Sequence, residues 1–166
     1  MNDPGQTIRV PAVRFERNLP GPVERVWMHL TDCNKLSGWY GEDSTIEPRE
    51  GGAVRLLGGH IRGVVTQWKP NEKLAHTWNV FGPDDEKSPY PESYLTLELE
   101  PKANGVALTL THLPVLERFE KQNAMGWHTF LDILGAAIRG ETVEPRANYM
   151  KRNASTYGVD LAKLAR

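Results

Sequence analysis

The chain has 166 residues, 39% hydrophobic and 25% charged, with a formal net charge of −1 and a pI near 6.5. That length and composition suit one globular domain able to bury a core without metal or disulfides. The near-balance of charge argues against the basic face that nucleic acid requires and against a polybasic patch for membrane lipid.

Residues 1–7 read as a frayed arm, and Ile8, Val10, Val13 and Phe15 favour a strand over 8–19 before the break at Pro20-Gly21-Pro22. Pro22 suits the first position of a helix, Glu24 suits its positive end, and Val23, Val26, Trp27 and Leu30 recur at helical spacing. Thr31 or Asp32 can cap a second short helix carrying Leu36 and Trp39, which Gly41 ends. Short strands follow at 44–46 and 53–57, and a strand at 60–68 is joined to the latter by a two-residue turn at Gly58-Gly59. After Lys69-Pro70-Asn71 comes a strand at 73–80, then a loop at 81–92 with three prolines. The strand at 94–100 alternates Leu95, Leu97 and Leu99 against polar residues, and Asn104-Gly105 turns the chain into a strand at 106–113. A long helix follows, with Asn123 as its N-cap, Gly140 after its last turn, and Trp127, Phe130, Leu131, Leu134, Ala137 and Ile138 as its apolar stripe. The tail at 141–166 is partly helical by pattern, and packs on its own domain or on a second copy through Tyr149, Met150, Tyr157, Leu161 and Leu164.

The order is thus strand, two helices, six strands, long helix. One amphipathic helix cannot cover so many flat strands, so the sheet must curl around it and leave an internal hollow.

The Gly58-Gly59 turn sets Arg55 opposite Arg62, which calls for acidic neighbours such as Glu98 or Glu100, for solvent, or for a bound anion. Val54, Leu56, Ile61 and Val65 fall on the opposite, core face. Strand parity groups Leu74, His76 and Trp78, then Leu95, Leu97 and Leu99, then Leu108, Leu110 and His112. These faces look toward Trp127 and Leu131 on the long helix, and Trp39 closes the mouth. Trp39, His76, Trp78, Leu97, Leu110, His112, Trp127 and Leu131 are therefore the candidate ligand-binding residues. The competing reading is a packed core in which the tryptophans only fill space and both histidines are simply satisfied. Burial would keep those imidazoles neutral, able to donate and accept hydrogen bonds.

Chemistry-bearing motifs are absent. There is no G-x-S-x-G or H-E-x-x-H run, no phosphate loop, and no histidine spacing for a metal. No cofactor is indicated. Cys33 is the only cysteine, so no internal disulfide forms and a reducing cytoplasm fits. No signal peptide and no bilayer-spanning run is visible, so membrane insertion is not expected.

Phe15-Glu16-Arg17, Pro22 to Trp27, Leu30-Thr31-Asp32 and Trp39 resemble the opening of the START-like (SRPBCC) superfamily. Leu74-Ala75-His76-Thr77-Trp78, Leu108 to His112, and Gly126-Trp127 with Leu131 and Leu134 resemble its branch named after the activator of heat-shock protein 90 ATPase. The resemblance implies an α+β helix-grip (Bet v 1-like) domain over 12–140, which leaves an N-terminal arm at 1–11 and, by its own pattern, a C-terminal helical extension at 141–166. It implies a ligand cavity between sheet and helix. Because the superfamily also contains co-chaperones and polyketide cyclases, the expected partners are an apolar small molecule, a chaperone or a second copy. A cyclase or hydrolase using His76 or His112 is the remaining alternative.

Overall fold

In the computed structural model, residues 2–164 are described. Strand β1 (Val13–Leu19) leads into helices α1 (Val23–Thr31) and α2 (Cys33–Leu36). Strands β2 (Thr45–Ile46), β3 (Ala53–Leu56), β4 (Ile61–Lys69), β5 (Lys73–Val80), β6 (Ser93–Lys102) and β7 (Gly105–Leu113) follow. Helix α3 (Glu120–Arg139) and helix α4 (Arg146–Tyr157) come next, followed by a 3₁₀ turn (Leu161–Lys163). The strands form one antiparallel sheet in the order β1-β7-β6-β5-β4-β3-β2. Neighbours in sequence pair from β2 to β7, and β1 closes on β7. This is the curled sheet and long helix of the helix-grip fold.

Strict alternation decides which face is buried. Leu74, His76 and Trp78 of β5, Leu95, Leu97 and Leu99 of β6, and Val106, Leu108, Leu110 and His112 of β7 all point inward. Val54, Leu56, Ile61 and Val65 continue that face across β3 and β4. Helix α3 lays Trp127, Leu131, Leu134 and Ile138 against it. At 1.5 Å per residue, this helix is about 30 Å long. Each large apolar side chain so buried is worth about 1.5–3 kcal/mol. Gly140 ends α3 at φ 71, and the N–H of Glu141 bonds to the Ala136 carbonyl at 2.9 Å, closing a Schellman cap.

Five expectations need correction. The first strand begins at Val13, paired with His112, and Ile8 and Val10 are exposed because β7 offers them no ladder partner. Pro22 is the N-cap of α1, not its first helical residue. The turn between β3 and β4 has four residues: the last pair is Leu56 with Ile61, and Leu57, Gly58 and Gly59 all take positive φ. The Arg55–Arg62 register is unchanged by this. Neither arginine meets Glu98 or Glu100, since β6 lies two strands from β4. Arg55 donates to the Gly58 carbonyl near Asp43, and Arg62 donates to the Gly59 carbonyl and lies over Phe81. Finally, α3 starts at Glu120 after a 3₁₀ turn (Glu117–Phe119), so Asn123 is not a cap and lies beside His112. For the second helix, Asp32 rather than Thr31 is the cap, accepting from the Asn34 N–H at 2.8 Å.

Helix α4 lies on α3 of its own chain. Asn153, buried, donates from Nδ2 to Thr129 Oγ1 at 3.2 Å and to Asp132 Oδ2 at 3.0 Å. His128 and Tyr157 join the same contact at 2.9 Å. Among the described residues, no helix is long and apolar enough to cross a membrane.

Candidate functional site

The sheet and α3 enclose a cluster of aromatic rings. Trp39 and Tyr40 follow α2 and stack on each other, with centroids 3.8 Å apart. Tyr40 meets Trp78, Trp127 and Phe130 at 6.4, 6.2 and 5.2 Å. Trp78 packs on Trp127 at 5.0 Å and lies parallel to His76 at 6.1 Å. Offset and edge-on contacts of this kind add about 0.5–1.5 kcal/mol each beyond buried area. Trp39 is held by its indole N–H, which donates to the His29 carbonyl at 2.7 Å.

All eight residues singled out from the sequence are buried. The structure brings Trp39, His76, Trp78, His112 and Trp127 into this ring cluster. Leu97 and Leu110 are register partners in the adjoining row, and Leu131 covers the core from α3. The rings pack on one another, and three surface depressions lie elsewhere. One is on the outer face between Lys69, Lys73 and Glu100, one is between Pro11 and Tyr157, and one is between Asn18 and Glu141.

The two histidines differ in their bonding. At His112, the Trp127 indole N–H donates to Nδ1 at 2.9 Å, so Nδ1 is the acceptor. The proton then sits on Nε2 and points at Ser93 Oγ, 2.7 Å away, which in turn donates to the Trp78 carbonyl at 3.1 Å. This tautomer is assigned from the network. Every polar atom of that ring is spoken for, so His112 has no lone pair to act as a base. Burial first, then the neighbouring His76, lowers its pKa to about 4.

His76 is only half satisfied. Its Nδ1 lies 2.8 Å from the Thr77 carbonyl, which can only accept, so Nδ1 carries the proton. Nε2 is therefore a bare lone pair, and it is buried with no hydrogen-bond partner. Burial lowers the His76 pKa to about 4, which keeps the ring neutral. The Tyr40 hydroxyl is likewise buried and unpartnered, and burial raises its pKa far above the usual phenol range. Both groups flank Trp78.

Tyr40, Ser93 and Asn123 escaped the sequence reading as polar members of this interior. Ser93 was within reach: it is the register partner of Trp78, one residue before the strand start that alternation suggests. Tyr40 lies in a turn without periodicity. Its only signal is its position between Trp39 and Gly41. Among the described residues, no group of three or more His, Cys, Asp or Glu side chains is placed to hold a metal ion.

Curled sheet, gripping helix and aromatic interior define a START-like protein. The chain belongs to the family of activator of Hsp90 ATPase homolog 1-like proteins, whose family model matches residues 20–139. It is 35% identical over 102 residues to a Dictyostelium discoideum protein named activator of 90 kDa heat shock protein ATPase homolog. That alignment takes 59% of this chain and 25% of the relative, so the chain spans about a quarter of the relative's length. Among solved structures, CalU16 from Micromonospora echinospora matches with a TM-score of 0.67 and 26% identity, over 89% of this chain and 84% of that one. A Bordetella parapertussis protein matches at 0.68 and 25%, over 96% and 93%. The Aha1 dimer from Colwellia psychrerythraea shares the fold at 0.62 and 21%, over 77% and 96%.

Proposed function

We propose that this protein binds a planar, largely apolar small molecule among the rings between β5–β7 and α3. The observation that carries this reading is the pair of buried, unpartnered polar atoms, His76 Nε2 and Tyr40 Oη, on two rings that both neighbour Trp78. Leaving such a group unsatisfied costs about 1–3 kcal/mol. In this reading a ligand hydroxyl donates to His76 and accepts from Tyr40 while its ring stacks on Trp78. Trp39 and Tyr40 sit in the turn after α2 rather than in a strand or helix, so this segment is the wall that gives way to the ligand. Turnover is not part of the proposal, and cytoplasmic residence is.

The test is a titration with 2-naphthol, read by tryptophan fluorescence. Saturable quenching is expected, with affinity weakened about tenfold in His76→Leu, the loss of one buried hydrogen bond. No saturation with naphthol or related bicyclic phenols contradicts the reading.

A second reading, favoured by the 35% identity to the Dictyostelium protein, is action on a heat-shock ATPase. It predicts a raised ATP hydrolysis rate when this chain is added to the purified chaperone. An unchanged rate removes it.

A further inference from the structure

Arg146 is the first residue of α4, beyond the part of the chain that the family model matches. Its guanidinium reaches back to the mouth of the ring cluster. It donates to the carbonyls of Tyr40 and, at 3.5 Å, Trp39. It also lies over the Phe130 ring, 5.0 Å from the centroid, and Phe130 touches Trp39, Tyr40 and Trp127. Gly41 lies beside it: a Cβ there would meet Leu57 Cδ2 at 2.8 Å and the guanidinium at 3.2 Å.

This arginine is poorly placed for stability alone. It is half-buried, and burial draws its pKa down from the ordinary value. It stands at the positive end of the α4 dipole, where a cation is disfavoured and where the first turn carries no acidic residue. Among the described residues, no carboxylate lies within 4.0 Å of it, whereas Arg139 and Arg152 each have a glutamate partner. Backbone carbonyls supply partial charge, not a counter-ion. A local arrangement that runs against several stabilising rules at once is what functional or strained positions show.

We infer that Arg146 is the counter-ion for an anionic group on the ligand, so that the ligand class is a planar aromatic carboxylate. The inference rests on the binding site proposed above and names its substrate class. The carboxylate takes the guanidinium fork in place of the Trp39 and Tyr40 carbonyls, as the paired geometry of the two groups favours. That exchange releases the Trp39–Tyr40 segment from α4 while the aromatic body enters beside Phe130. Charge recognition and opening of the wall are then one event, and the C-terminal extension supplies the latch.

The experiment compares 2-naphthoate with 2-naphthamide, which share size and shape and differ in charge, by calorimetry on the full chain at pH 7. Naphthoate is expected to bind about tenfold or more tightly than naphthamide, the worth of one charge-assisted hydrogen bond. In Arg146→Gln that preference vanishes and naphthamide binding is kept. Equal affinity of the two probes for the unaltered chain, or a preference that survives in Arg146→Gln, overturns the inference and leaves aromatic binding standing. Binding of neither probe overturns the inference, and 2-naphthol titrated alongside shows whether aromatic binding stands. Should Arg146→Gln fail to fold, the Arg146 Nε–Hε resonance of the unaltered chain decides. A shift with naphthoate and none with naphthamide supports the pairing, and a resonance unmoved by both overturns it.

Discussion

A phenol hydroxyl buried without a partner destabilises the chain that holds it, and Tyr40 is in that position. Removing the oxygen should therefore stabilise the free protein and weaken the ligand. Tyr40→Phe is expected to raise folding stability by about 1 kcal/mol in urea unfolding, and to lower affinity for 2-naphthol by several-fold. A variant less stable than the parent would mean that the hydroxyl has a partner after all. The histidines act through pH. His76 and His112 hold pKa values of about 4 when folded, against an ordinary 6.5. The unfolded chain then takes up protons that the folded chain refuses, so stability is whole above pH 6.5 and falls as pH drops toward 4. Urea midpoints measured from pH 7.5 to 4.5 should decline through that window, and His76→Leu should make the decline shallower. A midpoint flat over that range contradicts the burial of both rings. His76, Trp78 and His112 were legible in the sequence because alternation fixes their side of the sheet. The unequal bonding of the two histidines was not, because it depends on Trp127 and Ser93 meeting one ring and no donor reaching the other.

At the scale of elements, α4 is held on α3 by a few polar bonds and by Tyr149 rather than by a broad apolar seam. Asn153 makes two of those bonds in buried surroundings. Asn153→Ala leaves Thr129 and Asp132 short of a donor and should cost about 1–3 kcal/mol. Amide exchange is expected to quicken across Arg146–Tyr157 more than across β5–β7; uniform quickening would show that α4 folds only with the whole domain. The strands from β3 to β7 could be read closely because glycine, proline and asparagine punctuate them and leucine alternates within them. The turn after β3 could not, since Leu57 takes φ 54, a conformation that its side chain does not announce. The contact of Arg146 with Tyr40 spans 106 residues. In the sequence that arginine is indistinguishable from a solvated charge.

At the scale of the molecule, the sheet's curl and the gripping helix follow from counting apolar faces, and the structure has that architecture. The same count does not say how far rings fill the interior, because inward faces carry no information on side-chain volume. Five tryptophans divide into two groups. Trp39, Trp78 and Trp127 belong to the interior cluster, while Trp27 and Trp68 pair with each other at 5.1 Å. The second pair is an internal control. The most direct test follows the five indole N–H resonances by NMR as 2-naphthol is added. Binding in the interior predicts that the signals of Trp39, Trp78 and Trp127 move together and saturate while those of Trp27 and Trp68 stay in place. Movement confined to Trp27 and Trp68, or no movement at any of the five, contradicts the account.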